Sequence, residues 1–225
     1  MTGIGTLNES PLHASVKMHI ARPGDRFEVP VAGFVVDVMR GDDLIEIQTG
    51  NFGGLGKKLD AVLDHYDLTL VHPIPVRTMI HRPGRKPRRS PVRRTIYHLF
   101  DELVRIPTLI EHPRLTLHVL LIEENQQRVH DPSLRRRRGG WRVTERSLAA
   151  VVDDMQFRGR ADLAALLPEG LANPFTTADL AHELSIARGL AQKMAYCLRL
   201  MECIEPGRRT RTGIEYRRAP EASTR

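Results

Sequence analysis

Cysteine is nearly absent: Cys197 and Cys203 are the only two among 225 residues. Both fall in a helical-looking stretch, so they build neither a disulfide framework nor, by themselves, a zinc site. A reducing cytoplasm fits this usage. Aromatic side chains make up only 5% of the chain, which argues against a platform on which single-stranded bases stack. Apolar runs are short, none approaching the roughly 18 residues of a membrane-spanning helix. Met1 to Ser15 lacks the basic start and apolar block of a secretory signal. No membrane partner is therefore expected. A glycine-rich phosphate loop followed by Lys-Ser/Thr is missing, and the ten histidines are scattered without metal-ligand spacing.

Basic charge is abundant. The formal net charge is +7 and arginine greatly outnumbers lysine. Three clusters carry the excess: Arg82 to Arg94, Arg135 to Arg138 and Arg208 to Arg218. Clustered guanidinium groups bind phosphates bidentately and release counterions, so they point to a polyanionic partner. A hydrophobic content of 41% is enough for a packed core.

Asn8-Glu9-Ser10-Pro11 predicts a helix entry, a polar cap and then Pro in the first turn, and Leu12, Val16 and Ile20 hold one face of the helix that follows. Phe27 to Val38 and Leu44 to Gln48 read as a β-hairpin around Arg40-Gly41-Asp42-Asp43. In its second strand Leu44, Glu46 and Gln48 lie on one face, Ile45 and Ile47 on the other. A glycine-rich turn, 50–56, leads to a helix over 55–65. A short strand over 68–71 ends at His72-Pro73, and the Arg- and Pro-rich stretch to Arg94 reads as a loop. A helix over 96–105, a buried strand over 115–122, a second basic loop over 128–140, and a short strand then a helix over 141–152 complete an α/β domain with a mixed sheet. Beyond Phe157 the texture changes to short helices, which places a domain boundary near residues 155–160.

The central signal is Asp37 at the end of an apolar strand and Glu46 nine residues later in the next one, followed by Gln48. Paired strands would let both carboxylates converge at one end of the sheet, and hard oxygen ligands suit Mg²⁺. Burying such polar groups without partners would cost on the order of 1–3 kcal/mol each.

This arrangement, from Glu9 to Val71, resembles the PD-(D/E)XK nuclease superfamily. The resemblance implies a restriction-endonuclease-like core over 1–157, with Asp37 and Glu46 as ligands of Mg²⁺ or Mn²⁺. It also implies Glu9 as the acidic residue of the preceding helix and Gln48 in the place of the motif lysine. Some members move that lysine to the next helix, where Lys57 and Lys58 stand. His13, one turn after Glu9, could approach a phosphate, but a surface position is expected for it. Many members act as dimers, so a homodimer is allowed, although nothing in the sequence identifies its face.

Residues 158–218 resemble a winged helix-turn-helix, followed by a tail, 219–225. Thr176-Thr177-Ala178-Asp179 predicts a capping box for a supporting helix. A recognition helix follows from Ala187, with Leu190, Met194, Leu198 and Met201 inward and Arg188, Gln192, Lys193, Tyr196 and Arg199 outward. A hairpin around Thr212-Gly213, with Arg208, Arg209 and Arg211, would be the wing. Arginine and glutamine read purine edges in the major groove.

Together these readings lead to the expectation of a metal-dependent nuclease hydrolysing duplex DNA, with Gln48 or Lys57 orienting the attacking water. The alternative is a non-catalytic DNA-binding protein or regulator on a degenerate nuclease scaffold, favoured by the missing lysine. RNA as the substrate is a third reading.

Overall fold

A computed structural model describes residues 9–134, 138–211 and 213–219. Arg135, Arg136 and Arg137 of the second basic cluster, Thr212 of the hairpin turn, the tail beyond Ala219 and the first eight residues lie outside the described residues.

The first helix, α1 (Pro11–Ile20), starts as its sequence dictates. Ser10 is the N-cap, its hydroxyl accepting from His13 N, and Pro11 occupies the first turn. Strands β1 (Arg26–Val31), β2 (Phe34–Arg40) and β3 (Asp43–Ile47) form two successive hairpins. Helix α2 (Gly56–Leu63) follows, then β4 (Leu68–Arg82), β5 (Arg85–Arg89), the short helix α3 (Phe100–Leu103), β6 (Leu115–His130) and β7 (Trp141–Phe157). All seven strands make one mixed sheet in the order β1-β2-β3-β4-β6-β7, with β5 paired to β4. The β3–β4 and β4–β6 pairs are parallel and the rest antiparallel.

The sheet separates two buried clusters. Leu12 and Val16 of α1 pack on Val38, Ile45, Ile47, Val71, Leu120 and Ile122 on one face. The other face carries the larger cluster, with Leu44, Leu59, Leu70, Phe52, Phe100 and Leu117. The alternation anticipated in β3 is therefore present, Leu44 facing the large cluster and Ile45 and Ile47 the small one.

Four anticipated segments differ. Residues 27–38 are not a single strand but fold on themselves as the β1–β2 hairpin. Residues 73–82 and 85–89 are not loop but the outer half of β4 and a hairpin partner, and β6 runs on to His130. Residues 141–157 form one strand rather than a strand and a helix. The outcome is an arm of long strands, roughly 50 Å for the 16 residues of β6 at the usual rise. The arm is cationic, and at its tip the Arg82 and Arg85 guanidinium carbons lie 4.2 and 5.6 Å from the centroid of the Trp141 ring.

After β7 come α4 (Arg160–Ala164), β8 (Phe175–Thr176), α5 (Thr177–Glu183), α6 (Arg188–Leu200), β9 (Ile204–Thr210) and β10 (Gly213–Arg218). Strands β8, β10 and β9 make a second, antiparallel sheet in that order. The capping box is as the sequence proposes: Thr176 Oγ1 accepts from Ala178 N and Asp179 N at 3.2 and 3.3 Å, and Thr176 N donates to Asp179 Oδ2 at 2.7 Å. Thr176→Ala should lower stability by about 1 kcal/mol, read from the urea midpoint at unchanged slope. No helix among the described residues is long and apolar enough to cross a membrane. Both cysteines are free thiols, and burial pushes Cys197 up to about 12, so it is inert at neutral pH.

Candidate active site

Where β1 and β2 pair, every position from Arg26 to Val31 finds its partner except Glu28, opposite Asp37. Glu28 is left-handed there, with φ 51°, a conformation that a non-glycine residue adopts only when its surroundings enforce it. Asp37 Oδ2 accepts from Ile47 N at 2.7 Å and stands 3.1 Å from His13 Nε2. His13 Nδ1 is 2.5 Å from Glu9 Oε1, and Glu9 in turn is 2.7 Å from Lys17 Nζ. Lys17, only 7% exposed although charged, also donates to Glu28. His13 and Lys17 are four residues apart on one face of α1, and Glu9, expected on the helix, lies instead just before its N-cap and reaches both.

Glu46 comes from β3 and is 8% exposed. Its carboxylate lies 2.5 Å from Lys58 Nζ on α2, which also donates to Val35 O at 2.6 Å. Burial, together with the neighbouring negative charge of Asp37, raises the Glu46 pKa against the pull of Lys58. At Asp37 burial acts upwards too, but the His13 hydrogen bond and the Ile47 amide outweigh it and hold the carboxyl below its usual range. Burial opposes protonation of His13, yet hydrogen bonds and charges from Asp37 and Glu9 raise its pKa. A carboxylate pair has thus been gathered and balanced by cations, but Asp37 does not end its strand as expected: it is the middle residue of β2, just where pairing with β3 stops at Val38.

Of the anticipated residues, Glu9, Asp37 and Glu46 come together. Lys57 does not join them: it is exposed on α2, and the next residue, Lys58, occupies the place. Gln48 turns away, its side-chain nitrogen donating to Asn51 O at 2.6 Å. His13, expected at the surface, instead bridges two acidic residues. Its spacing from Lys17 was the available signal, since charged groups at i and i+4 on a helix otherwise half-apolar mark a polar stripe beside the core.

The donor set suits a hard divalent cation: two carboxylates, close enough for one charge to disfavour the other. Among the described residues no group of three or more His, Cys, Asp or Glu side chains is arranged around one point, and Mg²⁺, which keeps several waters, needs only one or two carboxylates.

In the C-terminal part, Arg188, Gln192 and Tyr196 are exposed on α6, and Arg188 reaches the hairpin, its Nη2 within 3.8 Å of where a Cβ on Gly213 would lie. Arg208, Arg209 and Arg211 are exposed on that hairpin. Lys193 is directed elsewhere, bonding Asp101 of α3 at 2.7 Å.

A protein-family profile described as "Domain of unknown function (DUF8091)" matches residues 10–158. The match takes in the whole cluster except Glu9 and ends one residue after β7. An uncharacterized protein of Treponema pallidum (strain Nichols) is 29% identical over 232 residues, covering 99% of this chain and 90% of its own length. No solved structure matches the chain. Because the profile spans about two thirds of the sequence, the protein belongs to the DUF8091 family.

Proposed function

We propose that the protein is a metal-dependent nuclease that hydrolyses phosphodiester bonds of duplex DNA. The observation that carries this reading is Lys58, whose ammonium meets Glu46 beside Asp37 while Gln48, in the motif position, points away. An ammonium there supplies the positive charge that Gln48 lacks, which is the arrangement expected when the motif lysine is moved to the following helix. Asp37 and Glu46 would hold Mg²⁺ or Mn²⁺, which on binding would supply Lewis acidity and a water of lowered pKa.

The chain's own groups have separable tasks. Ile47 N fixes one Asp37 oxygen, so the carboxylate is oriented in advance. Lys58 is positioned to orient a water or to stabilise negative charge on a phosphate oxygen. His13, held by Glu9, meets that same oxygen, Oδ2, from α1. The cationic arm and the wing would neutralise backbone phosphates, making affinity fall steeply with salt.

The order α4-β8-α5-α6-β9-β10 is similar to a winged helix, with α6 as recognition helix and β9–β10 as wing. Arg188, Gln192, Tyr196, Arg208, Arg209 and Arg211 are the duplex contacts in this reading, and Lys193 is assigned to packing on α3.

The experiment is cleavage of duplex DNA with Mg²⁺ or Mn²⁺ by the wild type, Asp37→Ala and Glu46→Ala, with binding measured at two salt concentrations. Metal-dependent cleavage lost in both variants is the expected result. A second reading, a non-catalytic DNA-binding protein, has its own observation: the carboxylates are already met by the chain's own groups, Asp37 by His13, Glu9 by Lys17 and Glu46 by Lys58. Salt-sensitive binding without cleavage under either metal would select it and sink the nuclease.

A further inference from the structure

Beside the cluster, between the loop that follows β3 and the arm, lies a cavity of about 320 Å³, within the range of small-molecule sites. Its floor is polar for a reason visible in the strand pattern. Glu124 and Gln126 are two apart on β6 and so share a face, and Thr78 of β4 pairs with Glu124 in register. Glu124 is 2% exposed. Its Oε1 accepts from Thr78 Oγ1 at 3.1 Å and from Gln126 Nε2 at 2.5 Å. Arg128 in turn donates to Gln126 Oε1 from Nε at 3.1 Å and Nη2 at 2.7 Å, which fixes the direction of the amide. Glu124 Oε2 is left with no hydrogen-bond donor.

A carboxylate oxygen buried in a sheet with nothing donating to it is destabilising, and native structures retain such a group for a reason. The remaining walls suggest what completes it. His72 Nδ1 donates to Gln48 O at 2.7 Å, so its Nε2 offers the cavity another acceptor. Thr95 N donates to His98 Nδ1 at 3.0 Å, which leaves the His98 proton on Nε2. Arg94 and Arg146 line the same cavity and are exposed, so they form its cationic rim. The ligand therefore brings N–H donors to the floor and an anion to the rim. Thr49, Gly50 and Asn51 line the cavity too, only three to five residues beyond Glu46.

We propose that this cavity receives one nucleotide whose base carries an exocyclic amino group, Glu124 Oε2 accepting from the amine while Arg94 and Arg146 hold the phosphate. The choice of a nucleotide rests on the nucleic-acid reading of the adjoining cluster. A nucleotide taken out of the stack is read in this way, through its Watson–Crick edge, and a carboxylate is the matching acceptor for an amine such as cytosine N4. Thymine fits poorly, because its single base donor, N3–H, sits between two carbonyl acceptors that would face the carboxylate.

Calorimetric titration of the full chain with dCMP, dAMP, dGMP and dTMP, in chelator, tests this. Binding of the amino-bearing nucleotides with dTMP at least about tenfold weaker is expected. Glu124→Gln, which turns the acceptor into a donor, should erase that preference, and Arg146→Ala should weaken all four alike. Equal binding of all four, no binding, or an unchanged preference in Glu124→Gln overturns the proposal. If Glu124→Gln fails to fold, the wild-type comparison alone decides. Because chelator removes the metal, nucleotide binding without DNA cleavage would sink only the nuclease, and cleavage without nucleotide binding only the cavity.

Discussion

Lys58→Met is expected to be among the most damaging single substitutions in the protein, and Lys57→Met nearly silent. Lys58 is the cation that meets the Glu46 carboxylate, at 2.5 Å, and Glu46 is 8% exposed. Removing one partner of a buried pair leaves the other charge uncompensated, a loss of about 3–5 kcal/mol. Chemical denaturation of Lys58→Met should show it, and adding Glu46→Gln should recover most of the loss because the carboxylate left without its cation is then removed. The double-mutant cycle isolates the coupling. If the single and double variants are equally unstable, Lys58 acts through its aliphatic packing and not its charge. In the cleavage assay the same substitution should cost about 10²–10³ in rate, the effect of removing one stabilising donor at a developing negative charge. Lys57, exposed one residue earlier, should leave both measurements within about twofold, since exposed charges contribute little.

His72 should make the fold acid-sensitive well above the carboxylate range. Its ring packs edge-on against Phe52, with centroids 4.9 Å apart. Burial above all, with Arg94 nearby, lowers its pKa to about 4, despite the hydrogen bond to Gln48 O. In the unfolded chain the same imidazole takes a proton near 6.5, so between about 6.5 and about 4 the unfolded state binds more protons than the folded one. Stability contributed by His72 is thus complete above about pH 6.5 and declines as acid is added, by about 3 kcal/mol by pH 4. His98, also lowered by burial, acts in the same sense. His13 is raised, so its contribution persists in acid and is lost only as pH rises through its folded pKa. Urea midpoints from pH 7 to 4 should fall steeply for the wild type and much less for His72→Gln, whose amide can still donate to Gln48 O. Parallel curves would show that the imidazole is not the titrating group.

The elements that were legible in the sequence are those with one wet and one dry face. Helix α1 announced itself through Asn8-Glu9-Ser10-Pro11 and the Leu12, Val16, Ile20 stripe, β3 through strict alternation, and α5 through its capping box. The arm was not legible, because β5 is exposed at every position and β7 at most of them, so no hydrophobic period marks either strand. Such strands exist because their neighbours supply hydrogen bonds, a long-range fact. The carboxylate pair was readable because a hairpin brings Asp37 and Glu46 together locally. Choosing between adjacent lysines was not, since neighbouring helical positions differ by about 100° and only the docking of α2 settles which one faces Glu46. Residues 78, 98 and 124 of the cavity are too far apart in sequence for any motif to collect them.

The large buried cluster runs without a break from Phe52, Leu59 and Phe100 through Phe157 and Leu163 to Leu180, Leu190 and Leu198. The family match stops at residue 158, but the packing does not. A hinge would need a seam of water or a polar linker, and here the seam is filled with side chains. The helix carrying Arg188 and Gln192 is therefore clamped relative to Asp37 and Glu46 like the fixed jaws of a gauge. A duplex gripped at one jaw would be presented to the other at a constant offset, so any cuts should fall at one distance from the gripped segment instead of scattering over a range.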